Sequence, residues 1–255
     1  MGSIVLFESD AHKNILLEDF GSGEAVQANT HLIIHNGAGI ILDPGGHKVF
    51  NKTLSEVNAL LAGGSLRYIF ASHQDPDIVA ALNGWLMTTD AIAYSSVLWT
   101  RFIPHFGLDS LVVKRLKGIP DEGMTLSLQD GSDLFILPAH FLHSCGNFHI
   151  YDPVSKILYT GDLGTSLGTN YRDVPDFKAH IKHIEPFHKR YMGSRKALTL
   201  WAKMARSLDV ETIAPQHGAF YKGKAMVEQF LDWCETLECG IDLLGDKYKV
   251  PSLAS

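Results

Sequence analysis

The chain has 255 residues, of which 45% are hydrophobic and 20% charged, enough to bury a sizeable core as one large layered unit. A net charge of −6 and a pI near 6.1 exclude nucleic acid and anionic membrane as electrostatic partners. No apolar run approaches the roughly 18 residues of a membrane span. The three cysteines, Cys145, Cys234 and Cys239, fit a reduced, cytoplasmic protein.

In chain order, alternating apolar residues and turn signals predict strands over 3–7, 15–17, 31–35 and 39–42, joined by hairpins at Asn36-Gly37 and a turn at Pro44-Gly45-Gly46. Met1-Gly2-Ser3 is no acylation signal, because Leu6 stands where Ser or Thr is needed. A helix follows over 48–61 and stops at Gly63-Gly64, then a strand over 66–71, then a helix over 76–87 opened by Pro76. The next elements are a strand over 91–95, a helix over 96–102 and strands over 124–128 and 133–139. A hairpin over 148–152 and 157–161, a helix over 194–206, a strand over 210–215 and a final amphipathic helix over 224–237 complete the set. Only a short tail, 245–255, lies beyond. Hairpins mixed with strand–helix units imply sheets packed between helices, an α/β/β/α sandwich forming a single domain over 1–255.

Chemistry concentrates where apolar strands end. The first such place is Ser72-His73-Gln74-Asp75-Pro76-Asp77, with an imidazole and two carboxylates two residues apart. A loop rooted on a strand can turn such side chains toward one point, although Asp-rich turns also look like this. His143 follows the strand over 133–139, Asp162 follows the strand over 157–160, and His217 follows the strand over 210–215. One histidine at a strand end is usually structural. Four such endings in one chain point to a shared site.

This order, His-x-Asp-x-Asp, then His, then Gly-Asp, then His-Gly, resembles the metallo-β-lactamase superfamily. Within it the chain is similar to flavodi-iron proteins and to single-domain oxygen-binding di-iron proteins. The resemblance rests on Phe141-Leu142-His143-Ser144-Cys145-Gly146-Asn147-Phe148, Tyr151-Asp152-Pro153, Lys156-Ile157-Leu158-Tyr159-Thr160-Gly161-Asp162 and Arg190-Tyr191-Met192-Gly193-Ser194. It implies a four-layer α/β/β/α metallo-β-lactamase sandwich with two iron ions. His73, Asp75 and His143 would bind one ion, Asp77 and His217 the other, and Asp162 would bridge. Hydrolytic members carry a histidine where Asp75 stands, and oxygen in place of nitrogen favours iron or manganese over zinc.

The chain departs from that pattern at Ile78, where the family commonly places a further histidine on the second metal. Either that position stays open to a small ligand, or His140 or His183 is recruited. Cys145 reads as a buried, inert thiol, and Cys234 and Cys239 as packing residues. His180, His183 and His188, among Lys178, Lys182 and Lys189, read as a solvated face. Tyr94, Trp99, Phe102 and Phe106 are core residues or a wall of the metal pocket.

The resemblance implies a non-haem di-iron protein that binds O2, as a sensor or in reduction. Flavodi-iron proteins carry a following flavodoxin-like domain, which this chain is too short to include, so a redox or signalling partner protein is expected. A homodimer is implied as well. The rival reading is a dinuclear zinc or manganese hydrolase, in which a metal-activated water attacks an ester.

Overall fold

The computed structural model describes residues 3–17, 27–128 and 130–251. Met1 and Gly2 of the N-terminal reading, and residues 252–255 of the tail, lie outside them. Two sheets stand face to face. The first holds β1 (Ile4–Glu8), β2 (His12–Leu17), β3 (Thr30–His35), β4 (Ala38–Leu42), β5 (Ser65–Phe70), β6 (Ile92–Ser96) and β7 (Leu116–Ile119), in that spatial order. Its hairpin-connected strands β1 to β4 are antiparallel, whereas β4 to β7 run parallel. The helices α1 (Phe50–Leu61), α2 (Pro76–Val79) and α3 (Leu82–Thr88) lie along the crossovers of the parallel half.

The second sheet has the order β13 (Tyr221–Lys222), β12 (Thr212–Ala214), β11 (Ile157–Tyr159), β10 (Phe148–Asp152), β9 (Asp133–Pro138) and β8 (Met124–Ser127). Only β11 and β12 are parallel neighbours. The crossover between those two carries α4 (Phe177–Tyr191) and α5 (Arg195–Ala205), and after β13 come α6 (Lys224–Thr236) and α7 (Ile241–Leu244).

A period of two in the apolar residues builds the layers, because successive side chains of a strand point to opposite faces. In β4, Ile40 and Leu42 pack between the sheets, while Ile41 joins the helix side with Val57, Leu82 and Trp85. In β11, Ile157 and Tyr159 face inward, and Leu158 faces Ile184, Trp201 and Phe230. Both faces of each sheet are covered, which yields three apolar layers and the expected α/β/β/α order. Among the described residues no helix is long and apolar enough to cross a membrane.

Several elements differ from the sequence reading. The helix expected over 76–87 is two, α2 and α3, because Ala81 leaves the helical region at φ −93° and ψ 3°. No helix forms over 96–102. Ser96 is held in β6 by pairing with Ile119, the chain then turns through Trp99, and a 3-10 turn follows at Ile103–Phe106 around Pro104. Strands β7 and β13 were not foreseen, and neither was α4.

The α4 helix also overturns the solvated face expected of its histidines. His180 and His188 are buried, because their ring nitrogens find partners. Tyr171 Oη is 2.8 Å from His180 Nδ1. His188 Nδ1 donates to the Ile184 carbonyl at 2.7 Å, and the Gly164 N–H donates to its Nε2 at 2.9 Å. Cys234 and Cys239 are buried, as expected of packing residues.

His31 in β3 shows burial without such partners. Its ring lies 4.7 Å from the Tyr159 ring and 5.7 Å from that of Phe220, and neither nitrogen has a hydrogen-bond partner among the described residues. Burial pushes its pKa down to about 3, against an ordinary 6.5. Below pH 6.5 the unfolded chain therefore binds a proton that the folded chain refuses, and stability is lost as pH falls from 6.5 towards 3. In urea unfolding of the metal-free chain, His31→Phe is expected to shrink the stability difference between pH 7 and pH 5 by ~2 kcal/mol. An unchanged difference would show that the ring is not held neutral.

Candidate metal centre

All six residues singled out at strand ends meet at one rim of the sandwich. Four short loops carry them, following β5, β9, β11 and β12. Each loop is anchored by backbone bonds, so the side chains are aimed before any ligand arrives.

His73 follows β5 through Ala71 and Ser72. The Ser72 N–H donates to Asp43 Oδ1 at 2.8 Å, and its carbonyl accepts from the Phe148 N–H at 3.0 Å, tying the first sheet to the second. Ser72 Oγ lies 2.9 Å from His73 Nδ1, leaving Nε2 to face the centre. Asp75 precedes α2, and its carbonyl accepts from the N–H groups of Ile78 and Val79. Pro76, whose fixed φ suits a first helical position, then places Asp77 in the first turn.

His143 sits in the turn after β9, where the Phe141 N–H donates to the Ser144 carbonyl at 2.7 Å and Asn147 Nδ2 donates to the Leu142 carbonyl. Asp162 follows Gly161, which has φ +49° and whose added Cβ would lie 3.1 Å from Ser72 Oγ. The Gly161 carbonyl accepts from the Gln216 N–H at 2.7 Å, joining the Asp162 loop to that of His217. His217 Nδ1 donates to the Gln27 carbonyl, which turns Nε2 inward. Gly218 has φ +82°, and a Cβ there would meet Ser166 Oγ at 2.1 Å, so no other residue fits.

Asp162 lies at the middle. Its Oδ2 is 2.8 Å from His143 Nε2 and 3.8 Å from His73 Nε2, while its Oδ1 faces the other way, 3.4 Å from His217 Nε2. Asp75 Oδ2 stands 3.6 Å from the Nε2 atoms of both His73 and His143. Asp77 Oδ2 stands 3.6 Å from His217 Nε2. The donors thus fall into two groups that share Asp162. The side chains of His73, His217 and Asp162 are 2%, 8% and 9% exposed, whereas those of Asp75 and Asp77 are 35% and 45% exposed. The histidine side is sealed and the aspartate side is open.

The electrostatics follow from this crowding. Burial alone would raise the Asp162 carboxyl, but the imidazoles of His143, His217 and His73 hold it well below the usual carboxylate range. Burial lowers the His217 ring, yet Asp162, the Gln27 carbonyl and Asp77 carry it up to about 9. Asp77 is raised by burial, with His217 opposing. Asp162 Oδ1 is buried and makes no well-aligned hydrogen bond despite the nearby ring. Three imidazole nitrogens and three carboxylates converging with a buried, unsatisfied oxygen among them form a donor set that fits two divalent cations. The atoms of His73, Asp75 and His143 lie close enough together to hold one ion by themselves.

The other sequence candidates separate. Ile78 is fully buried in the helix-side core of the first sheet. Neither candidate replacement joins Asp77: His140 Nε2 donates to the Asp121 carbonyl at 2.8 Å, and His183 Nδ1 to the Leu167 carbonyl at 2.9 Å. Cys145, expected to be buried, is exposed, because the turn after His143 points it outward. Of the four aromatics, Trp99 borders a ligand loop, its Nε1 being 2.9 Å from where a Cβ of Gly146 would stand. Tyr94 packs between the sheets, while Phe102 and Phe106 are exposed.

Asp43 was missed. It ends β4 in Leu42-Asp43-Pro44-Gly45, the same strand-end signature as the ligands, but its turn residues drew attention instead. It is buried, with φ +47°, and burial pushes its pKa up to about 6 against the pull of the Ser72 N–H and the charge of His73.

Residues 26–218 match the family described as ODP family beta lactamase. A solved structure of a peroxy diiron species of the chemotaxis sensor ODP is 40% identical, with a TM-score of 0.87 over 97% of this chain and 100% of that one. The apo state of the chemotaxis sensor ODP from T. denticola is 38% identical, with a TM-score of 0.86 over 97% of this chain and 99% of that one. Diflavin flavoprotein A 1 of Synechocystis sp. is 25% identical over 227 residues, 86% of this chain and 38% of that protein. The chain therefore spans well under half the length of that curated relative.

Asp43→Ala would strand the buried Ser72 N–H and place alanine at a positive φ, so the metal-free chain is expected to lose about 1–3 kcal/mol in urea unfolding. Asp43→Asn keeps an acceptor oxygen and should cost less than half as much. Equal losses in the two variants would show that the carboxylate charge, not the hydrogen bond, holds the loop.

Proposed function

The chain belongs to the ODP family of beta-lactamase-like proteins, and we propose that it is a non-haem di-iron protein that binds O2 as a sensor. The observation that carries this reading is the division of Asp162, with Oδ2 toward His143 and Oδ1 toward His217. A carboxylate placed so suits two ions roughly 3.5–4 Å apart. In this reading His73, Asp75 and His143 hold one ion, Asp77 and His217 the other, and Asp162 bridges them. When bound, two ferrous ions supply the electrons needed to capture O2.

The protein's own residues then set the conditions. With three carboxylates and three neutral imidazoles, the donor set is hard and anionic, which favours iron or manganese over an all-nitrogen zinc site. Ile78 packs into the helix-side core and supplies no donor, so the Asp77–His217 side keeps fewer protein donors and a position for a small ligand. The half-exposed Asp75 and Asp77 mark the way in, and the sealed histidine side keeps water from the rear of the site. Sensing is favoured over reduction by the 40% identity to a chemotaxis sensor. A signalling or redox partner protein and a homodimeric state go with the same reading. The hydrolase alternative is disfavoured by Asp75.

Purified without air and loaded with ferrous iron, the chain should carry about two irons and develop a new visible absorption band when air is admitted. Asp162→Asn should leave about one iron or less. Zinc alone at full occupancy, no spectral change in air and turnover of an ester substrate would overturn the proposal.

A further inference from the structure

Gln74 lies between two ligand loops and belongs to neither donor group. Its Nε2 donates to Asp75 Oδ1 at 3.0 Å, and its Oε1 accepts from Ser144 Oγ at 2.6 Å. This orientation is forced, because an ionised carboxylate only accepts, so the amide nitrogen must face Asp75 and the amide oxygen must face the hydroxyl. Ser144 Oγ itself accepts from the Gly146 N–H at 3.3 Å, which leaves its proton for Gln74.

The result is a continuous bridge from Asp75 through Gln74 to Ser144. It spans the loop after β5 in the first sheet and the loop after β9 in the second, one residue beyond His143. Asp75 thereby has one oxygen held outward by the amide. Its other oxygen, Oδ2, is the one that stands 3.6 Å from both His73 and His143. A carboxylate on a half-exposed loop, without such a bond, can rotate to offer both oxygens or turn to water. Outer-shell partners of this kind orient a ligand and set its donor strength.

We propose that Gln74, backed by Ser144, is the positioning residue of the first ion's pocket, holding Asp75 as a one-oxygen donor and fixing the spacing of the His73 and His143 loops. This rests on the dinuclear reading of the same site. Loss of the amide affects the ion held by His73, Asp75 and His143, and leaves the Asp77–His217 side alone, since among the described residues its side-chain hydrogen bonds go to Asp75 and Ser144.

The test uses the full chain as wild type, Gln74→Leu, Gln74→Glu and Ser144→Ala. Three readouts apply: dissociation of each ferrous ion against a chelator without air, the midpoint potential, and the melting temperature of the metal-free chain. Gln74→Leu is expected to weaken one ion by about 10- to 100-fold, the usual effect of removing an outer partner, with the other ion unchanged and only a small fall in the metal-free melting temperature from the lost Ser144 bond. Gln74→Glu keeps the Ser144 bond but sets a negative charge against Asp75. It should weaken the same ion at least as much and lower the potential. Ser144→Ala should weaken that ion less, and adding it to Gln74→Leu should cost nothing further. The proposal is overturned if both ions are retained at wild-type affinity in Gln74→Leu, or if both weaken equally together with the metal-free melting temperature. A wild-type chain that takes up only one ion overturns the dinuclear reading, and this inference with it.

Discussion

A carboxylate buried as deeply as that of Asp162 is tolerated only with positive charge close by, from imidazoles or from a bound cation. The arrangement of the rim follows from that requirement. His143 and His217 come from the second sheet and His73 from the first, each with its outer nitrogen or its loop fixed by backbone groups. The Ser72 bonds to Asp43 and Phe148 hold the two sheets at the spacing this convergence demands. Ordinary core packing builds the sandwich, and the charge at its edge sets which loops must meet.

Much of this was legible in the chain. The layers were readable because strands buried on both faces read as continuous apolar runs, as in β4 and β11. The six candidate donors were readable because they stand in the loops that follow four such strands. Their roles as donors to one ion or the other came from family resemblance, since spacing alone does not reveal which loops converge.

What stayed hidden depended on tertiary partners. The α4 helix looks like a polar surface run, yet His180 and His188 are buried because Tyr171, Ile184 and Gly164, distant or local, satisfy their rings. Ser96 looked like the start of a helix and is instead held in a strand by Ile119, a partner 23 residues away in a parallel pairing. Asp43 has the strand-end signature, but its role lies in one bond to Ser72 on the neighbouring strand's loop. Gln74 carries no motif of its own, and its bond to Ser144 is invisible until the sheets are docked.

The bond between Ser72 and Phe148 has a further consequence for how the molecule comes together. The donors run from residue 73 to residue 217 and are split between two sheets, so no segment of the chain can assemble the rim alone. Contacts so far apart in sequence form late, after the intervening loops have closed. Any cation bound there recognises the docked pair of sheets and not the separate halves. By mass action it therefore stabilises their union, acting as a removable rivet across the sandwich, and its withdrawal would loosen the two halves at this edge first.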